Sequence, residues 1–154
     1  MPKEIERKFL VKGDSWRGLA KSQFYQQGYI DTINQTTIRI RIVGEKGFLT
    51  IKGKSQGITR SEYEYQIPLA DAQQMLQELC QKPQIQKNRY QIQVKELLWE
   101  IDEFLGDNSG LIIAEVELEN EDQIIELPEW IAQEVSHDPR YFNSNLTKFP
   151  YKNW

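Results

Sequence analysis

The sequence predicts an α+β domain in which eight antiparallel strands close into a barrel, a tunnel with a few packing helices. Three observations carry that expectation. Short runs that alternate apolar and polar residues recur along the whole chain, tight glycine-containing connections join several of them, and few helical segments interrupt them. Eight strands are enough for a sheet to close on itself. At 154 residues, with no linker, internal repeat or low-complexity tract, the chain reads as one domain over 1–154.

The alternating runs lie at about 3–11, 23–31, 36–43, 47–54, 60–67, 84–92, 97–104 and 111–119. In the first, KEIERKFLV, period two puts Glu4, Glu6 and Lys8 on one face and Ile5, Phe9 and Val11 on the other. TIRIRI separates Arg39 and Arg41 from Ile38, Ile40 and Ile42. Lys52 and Lys54 follow in the fourth run, Glu62 and Glu64 alternate with Tyr63 and Tyr65 in the fifth, and Lys87 and Arg89 share a face in the sixth. In the last two runs Glu100 and Asp102 oppose Trp99 and Ile101, and Glu115 and Glu117 oppose Val116 and Leu118. The connections VGEKG and GDNSG make antiparallel hairpins of their flanking runs. Between the fifth and sixth runs, PLADAQQMLQELCQK aligns Leu69, Ala72, Leu76, Leu79 and Cys80 on one helical stripe, entered at Pro68 and stopped before Pro83. LPEWIAQEV reads as a short second helix, and Asp138 followed by Pro139 as the N-cap and first residue of a third.

Composition narrows the function. The hydrophobic fraction is 39% and the charged fraction 27%, which excludes a disordered chain. A net charge of -4 argues against a broad nucleic-acid footprint. No apolar run approaches the ~18 residues of a membrane span, and MPKEIERKFL lacks the apolar stretch of a signal peptide, so the expectation is a cytoplasmic protein with no membrane partner. Cys80, the only cysteine, can form neither an internal disulfide nor a thiolate metal cluster and reads as a packed core thiol. His137, the only histidine, falls at a helix start, which disfavours histidine-based phosphoryl transfer. No glycine-rich phosphate loop precedes a helix.

The charged faces segregate by sign. The third, fourth and sixth runs are basic, and the fifth, seventh and eighth acidic. If sequential strands are neighbours, Arg39 and Arg41 lie near Lys52 and Lys54, and Glu100 and Asp102 near Glu115 and Glu117. Such like-charge neighbours repel. At ~5 Å the repulsion is under ~1 kcal/mol in bulk water but ~3 kcal/mol at an effective dielectric of ~20. An enclosed face therefore needs counter-ions: a polyanion for the basic rows, and divalent cations such as Mg²⁺ or Mn²⁺ for the carboxylates.

Taken in order, EIERKFLV, RIR, TIKGK, RSEYEYQI, KNRY, WEIDEF and AEVELE resemble the ExExK signature and the paired charged motifs of the CYTH superfamily, the triphosphate tunnel metalloenzymes. QQGYI and DPRYFNSNL also resemble family segments, the latter a helix near one tunnel mouth. The resemblance implies a tunnel that binds a linear triphosphate with divalent metal. It implies Glu4, Glu6, Glu115 and Glu117 as metal carboxylates, with Asp102, Glu62 and Glu64 assisting, and Lys8, Arg39, Arg41, Lys52, Lys54, Lys87 and Arg89 as the phosphate cradle. Glu4, Glu6, Lys8 and Lys87 fall at the catalytic centre. The expected activity is metal-dependent hydrolysis of the terminal phosphate of inorganic triphosphate. The alternatives are an adenylate cyclase, an organic triphosphatase acting on nucleoside or thiamine triphosphate, or a non-catalytic polyphosphate-binding module. Oligomeric state is not legible from the sequence.

Overall fold

Alternation of period two makes each run a strand, because only an extended chain puts the apolar set on one side and the charged set on the other. The computed structural model describes residues 3–154. It contains strands β1 (Lys3–Val11), β2 (Ser22–Ile30), β3 (Thr37–Val43), β4 (Lys46–Lys52), β5 (Thr59–Ile67), β6 (Ile85–Val94), β7 (Leu97–Phe104), β8 (Ile112–Glu117) and β9 (Ile131–Glu134), with helices α1 (Leu69–Glu78) and α2 (Asn143–Lys148). The sheet runs β5-β4-β3-β2-β6-β7-β8-β1, and antiparallel pairing of β1 with β5 closes it into the eight-stranded barrel.

The closure explains the ninth strand. One edge of β1 pairs with β8 over Glu6–Leu10. Its other edge meets β5 only over Lys3–Ile5, which leaves the second half of that edge in need of backbone partners. β9 fills it, pairing Phe9 with Glu134 and Val11 with Ile131, while the Val135 N–H donates to the Lys8 carbonyl at 2.8 Å. The segment expected as a second helix therefore turns at Glu129 and Trp130 and runs extended over Ile131–Glu134, with Trp130 and Ile131 buried.

α1 lies over β3 and β4. Two glycines let it approach: a Cβ at Gly28 would stand 2.8 Å from the Cys80 Cβ, and one at Gly47 would stand 2.6 Å from the Ala72 Cβ. Ala72, Leu76 and Cys80 are buried against Ile40 as the stripe predicts, but the helix ends at Glu78 and Leu79 points into solvent. Asp138 accepts from the Arg140 N–H and Pro139 opens a turn, yet that turn is a single 3₁₀ turn (Pro139–Tyr141); α2 starts afresh at Asn143.

The outer faces of β1, β7 and β8 carry the largest core, in which Phe9, Trp16, Trp99, Ile101, Val116 and Trp130 pack together. Residues such as Phe9, Ile101 and Val116 each contribute roughly 1.5–3 kcal/mol relative to exposure. A second cluster lies inside the barrel at one end. There the inward positions become apolar, and Tyr29, Ile85, Phe104 and Ile113 pack against Tyr141 and Leu146. The charged interior thus stops at an apolar floor built partly from α2.

Candidate active site

The polar interior is a cavity of about 190 Å³. Glu4, Glu6, Lys8, Arg39, Arg41, Lys52, Glu62, Glu64, Lys87, Arg89, Glu115 and Glu117 all line it, so nearly every charged residue singled out by strand parity converges on one space. Two do not. Lys54 lies beyond the end of β4 and is exposed, outside the lining, because the strand gives way to a loop after Lys52. Asp102 is 1% exposed and lies beneath the lining, where Lys87 Nζ reaches it at 2.8 Å and Arg89 Nε at 2.7 Å. Its neighbour by parity, Glu100, lines the cavity instead.

Register modifies the expected crowding. Thr37 faces Lys52 and Thr50 faces Arg39 across β3 and β4, so threonines separate the cations, and Glu62 stands opposite Lys52 on β5. Like charges directly opposite one another occur on the acidic side, at Glu6 and Glu117 and at Glu100 and Glu115.

On that side Lys8 Nζ lies 2.6 Å from Glu115 and 3.3 Å from Glu6, while Lys52 Nζ reaches Glu4 at 2.8 Å and Glu62 at 3.2 Å. Arg60 adds a third contact to Glu4 at 3.1 Å. Burial opposes ionisation of Glu4, but Lys52 and Arg60 overcome it and hold the carboxyl well below the ordinary range. Glu115 behaves alike: burial is outweighed by Lys8, Arg89 and Lys87. Glu6 has no such surplus. Burial, then Glu115 and Glu4, push it up to about 7 against the pull of Lys8. Glu62 is also pushed up to about 7, by burial and its contact with Glu4, and Glu117 is raised by burial and by Glu4 and Glu100. In this half of the cavity the carboxylates outnumber the cations Lys8, Lys52 and Arg60 that serve them.

In the other half the cations outnumber their anionic partners, Glu64, Glu100 and Asp102. Arg39 donates to Thr50 and Glu64, both at 3.2 Å, but its buried Nε has no partner among the described residues. Arg41 forms no ion pair among the described residues; its Nε donates to the Gln27 Oε1 at 2.8 Å and its guanidinium lies 4.9 Å from the Tyr25 ring centre. Burial, then Arg39 and Arg89, push Arg41 down to about 9. Lys87 is pushed down to about 7 by burial and by Arg89 and Arg41, which together outweigh an Asp102 that it shares with Arg89. Burial would raise Asp102, but Arg89 and Lys87 hold it low. Asp102 is thus the counter-ion of the basic row.

Among the described residues no three acidic side chains are gathered as a ready metal cage; their carboxylates turn toward Lys8, Lys52 and Arg89. The donor set nonetheless suits a hard divalent cation: oxygen ligands only, with Glu4 and Glu115 buried, Glu6 half-buried and Glu117 exposed at the end of β8; Glu115 and Glu4 repel Glu6, and Glu4 and Glu100 repel Glu117.

Parity of charge overlooks uncharged members of the site. Asn143, at the start of α2, accepts from Lys87 Nζ at 2.9 Å and lines the cavity with Ser144 and Ser136. Gln27 is fully buried between Arg41 and Tyr29. The segments QQGYI and DPRYFNSNL marked both places, but nothing in the residue types identified the contacts.

Comparison with known proteins agrees with this geometry. A family profile described as the CYTH domain matches residues 2–149. An inorganic triphosphatase of Acetivibrio thermocellus is 53% identical over 154 residues, 100% of this chain and 99% of its own length. An inorganic triphosphatase of Nitrosomonas europaea is 36% identical over 147 residues, covering 93% of this chain and 95% of that protein. The crystal structure of the inorganic triphosphatase NE1496 superposes with a TM-score of 0.63 at 34% identity, over 93% of this chain and 96% of that one.

Proposed function

Since the chain belongs to the CYTH domain family, we propose that it is an inorganic triphosphatase that hydrolyses the terminal phosphate of tripolyphosphate with the help of Mg²⁺ or Mn²⁺. The observation that carries this reading is the double shortage of charge in one small cavity. At one side Arg41 has no ion pair among the described residues and Lys87 shares Asp102 with Arg89; at the other Glu6 shares Lys8 with Glu115, and Glu117 has no ion pair among the described residues. A triphosphate with a divalent cation relieves both.

In the reaction a water oxygen bonds to the terminal phosphorus, the anhydride P–O bond breaks, and pyrophosphate leaves. Arg39, Arg41, Lys87 and Arg89 line the side where the phosphate chain lies, and their charges offset those of the transferring and leaving groups. Lys8 and Lys52 stand on the carboxylate side, each paired with carboxylates that a phosphate oxygen can replace. Glu4, Glu6, Glu115 and Glu117 would hold the metal, which supplies charge neutralisation and a more acidic water. The apolar floor of Ile85, Phe104 and Leu146 and the small volume favour a bare phosphate chain over one bearing an organic group.

The test is phosphate release from tripolyphosphate, ATP and thiamine triphosphate, each with Mg²⁺, with Mn²⁺ and with chelator. The expected result is turnover of tripolyphosphate far above the other two, abolished by chelator. Preferred turnover of ATP, or cyclic AMP as product, would replace this reading with one of an organic substrate.

A further inference from the structure

Inside a barrel lined by charges, the uncharged side chain of Gln27 is completely withdrawn from solvent yet touches three residues that line the cavity. Gln27 is 0% exposed; it accepts from Arg41 Nε at 2.8 Å and donates through Nε2 to the Tyr29 hydroxyl at 2.7 Å. A second, longer contact from Nε2 reaches Asn143 Oδ1 at 3.4 Å.

The direction of these bonds follows from chemistry. A guanidinium only donates, so the amide oxygen of Gln27 must face Arg41. Asn143 Oδ1 is likewise fixed as an acceptor, because it receives the ammonium of Lys87 at 2.9 Å. Two cations, on β3 and β6, therefore hold the amide one way round, with its NH₂ toward Tyr29. The hydroxyl oxygen must accept that N–H, and its own hydrogen must point elsewhere. Tyr29 lines the cavity, and among the described residues no acceptor takes its hydrogen. A phosphate chain offers acceptors and, when fully ionised, no donors.

We propose that Gln27 is a positioning residue that turns the Tyr29 hydroxyl into an obligate donor aimed at the bound phosphate chain. This rests on the cavity being a tripolyphosphate site. Gln27 makes no contact with substrate itself; it converts the charge of Arg41 into a fixed orientation of a neutral hydroxyl two residues along the same strand.

Gln27→Glu tests the idea because it preserves shape and the bond to Arg41 while replacing the donor to Tyr29 with an acceptor, which draws the hydroxyl hydrogen out of the cavity. The added negative charge also weakens anion binding, so the substitution is made both in the natural chain and in the Tyr29→Phe background. Tripolyphosphate affinity is measured by calorimetry in metal-free buffer, kcat/KM with metal, and folding by thermal melting. The expected result is that Gln27→Glu weakens binding by about tenfold more when Tyr29 is present than when it is phenylalanine. An equal loss in both backgrounds overturns the proposal, since a role in packing or charge alone does not depend on the hydroxyl. Should Gln27→Glu not fold, the same cycle with Gln27→Met is expected to show a coupling of at least about threefold. Because binding is read without turnover, a chain that binds tripolyphosphate but does not hydrolyse it defeats the triphosphatase reading and still decides the role of Gln27. A chain that does not bind it defeats both.

Discussion

Asp102→Asn distinguishes a counter-ion from a metal ligand. The carboxylate is 1% exposed and serves Lys87 at 2.8 Å and Arg89 at 2.7 and 2.9 Å. An amide keeps the shape but removes the charge, leaving two buried cations without their shared partner. Breaking such a pair from one side costs about 3–5 kcal/mol. For a domain of this size, about 2–4 °C of melting temperature accompanies each kcal/mol, so the ligand-free variant should melt about 6–20 °C below the natural chain. Tripolyphosphate at a hundred times its Kd stabilises a binding protein by ~2.7 kcal/mol. It should rescue the variant by more than it stabilises the natural chain, because the phosphates take over the missing charge. Thermal melting with and without metal-free tripolyphosphate reads both effects. A variant with an unchanged ligand-free melting temperature that has lost its response to Mg²⁺ would refute the counter-ion role and restore Asp102 as a ligand.

Arg41→Met should weaken tripolyphosphate binding by tenfold or more and lower ligand-free stability by about 1–3 kcal/mol, since the fully buried Gln27 Oε1 loses its donor; calorimetry and melting check the two halves. Lys54→Ala should leave turnover within about twofold of the natural chain while Lys52→Ala lowers it by more than a hundredfold, in line with one exposed position and one that reaches Glu4 and Glu62. Ligand-free stability should pass through a minimum near pH 7. Glu6 and Glu62 have folded values raised to about 7, so their contribution is present below the ordinary carboxylate range and is lost as pH rises toward 7. Lys87 is lowered to about 7, so its contribution is fully present above the ordinary lysine range, is lost as pH falls, and has gone at 7. A melting profile that rises steadily across this range would contradict those assignments. Gly28→Val should destabilise by about 1–3 kcal/mol through collision with Cys80 and Leu76, with the activity of the folded fraction retained.

What could be read from the sequence depended on whether position along a strand was enough. Parity alone put Glu4, Glu6 and Lys8, or Arg39 and Arg41, on one face, and closure of the sheet turned that face inward. Parity could not rank Glu100 against Asp102, because the two share a face; depth under Lys87 and Arg89 separates them, and depth arises from strands distant in sequence. Lys54 continued the alternation in letters after the strand had ended. β9 was missed because its only reason to be extended is the unpaired half of β1, an edge that exists only once the barrel has closed. Gln27 and Asn143 carry no charge and gave no pattern, though both are held by cations.

A crystal structure of the chain grown with tripolyphosphate in metal-free buffer tests the central claim most directly. The expected density is a linear triphosphate inside the barrel, in contact with Arg39, Arg41, Lys87 and Arg89, with Lys8 or Lys52 drawn from its carboxylate toward a phosphate oxygen. A triphosphate found only on the outer surface, with the interior ion pairs unchanged, would contradict it.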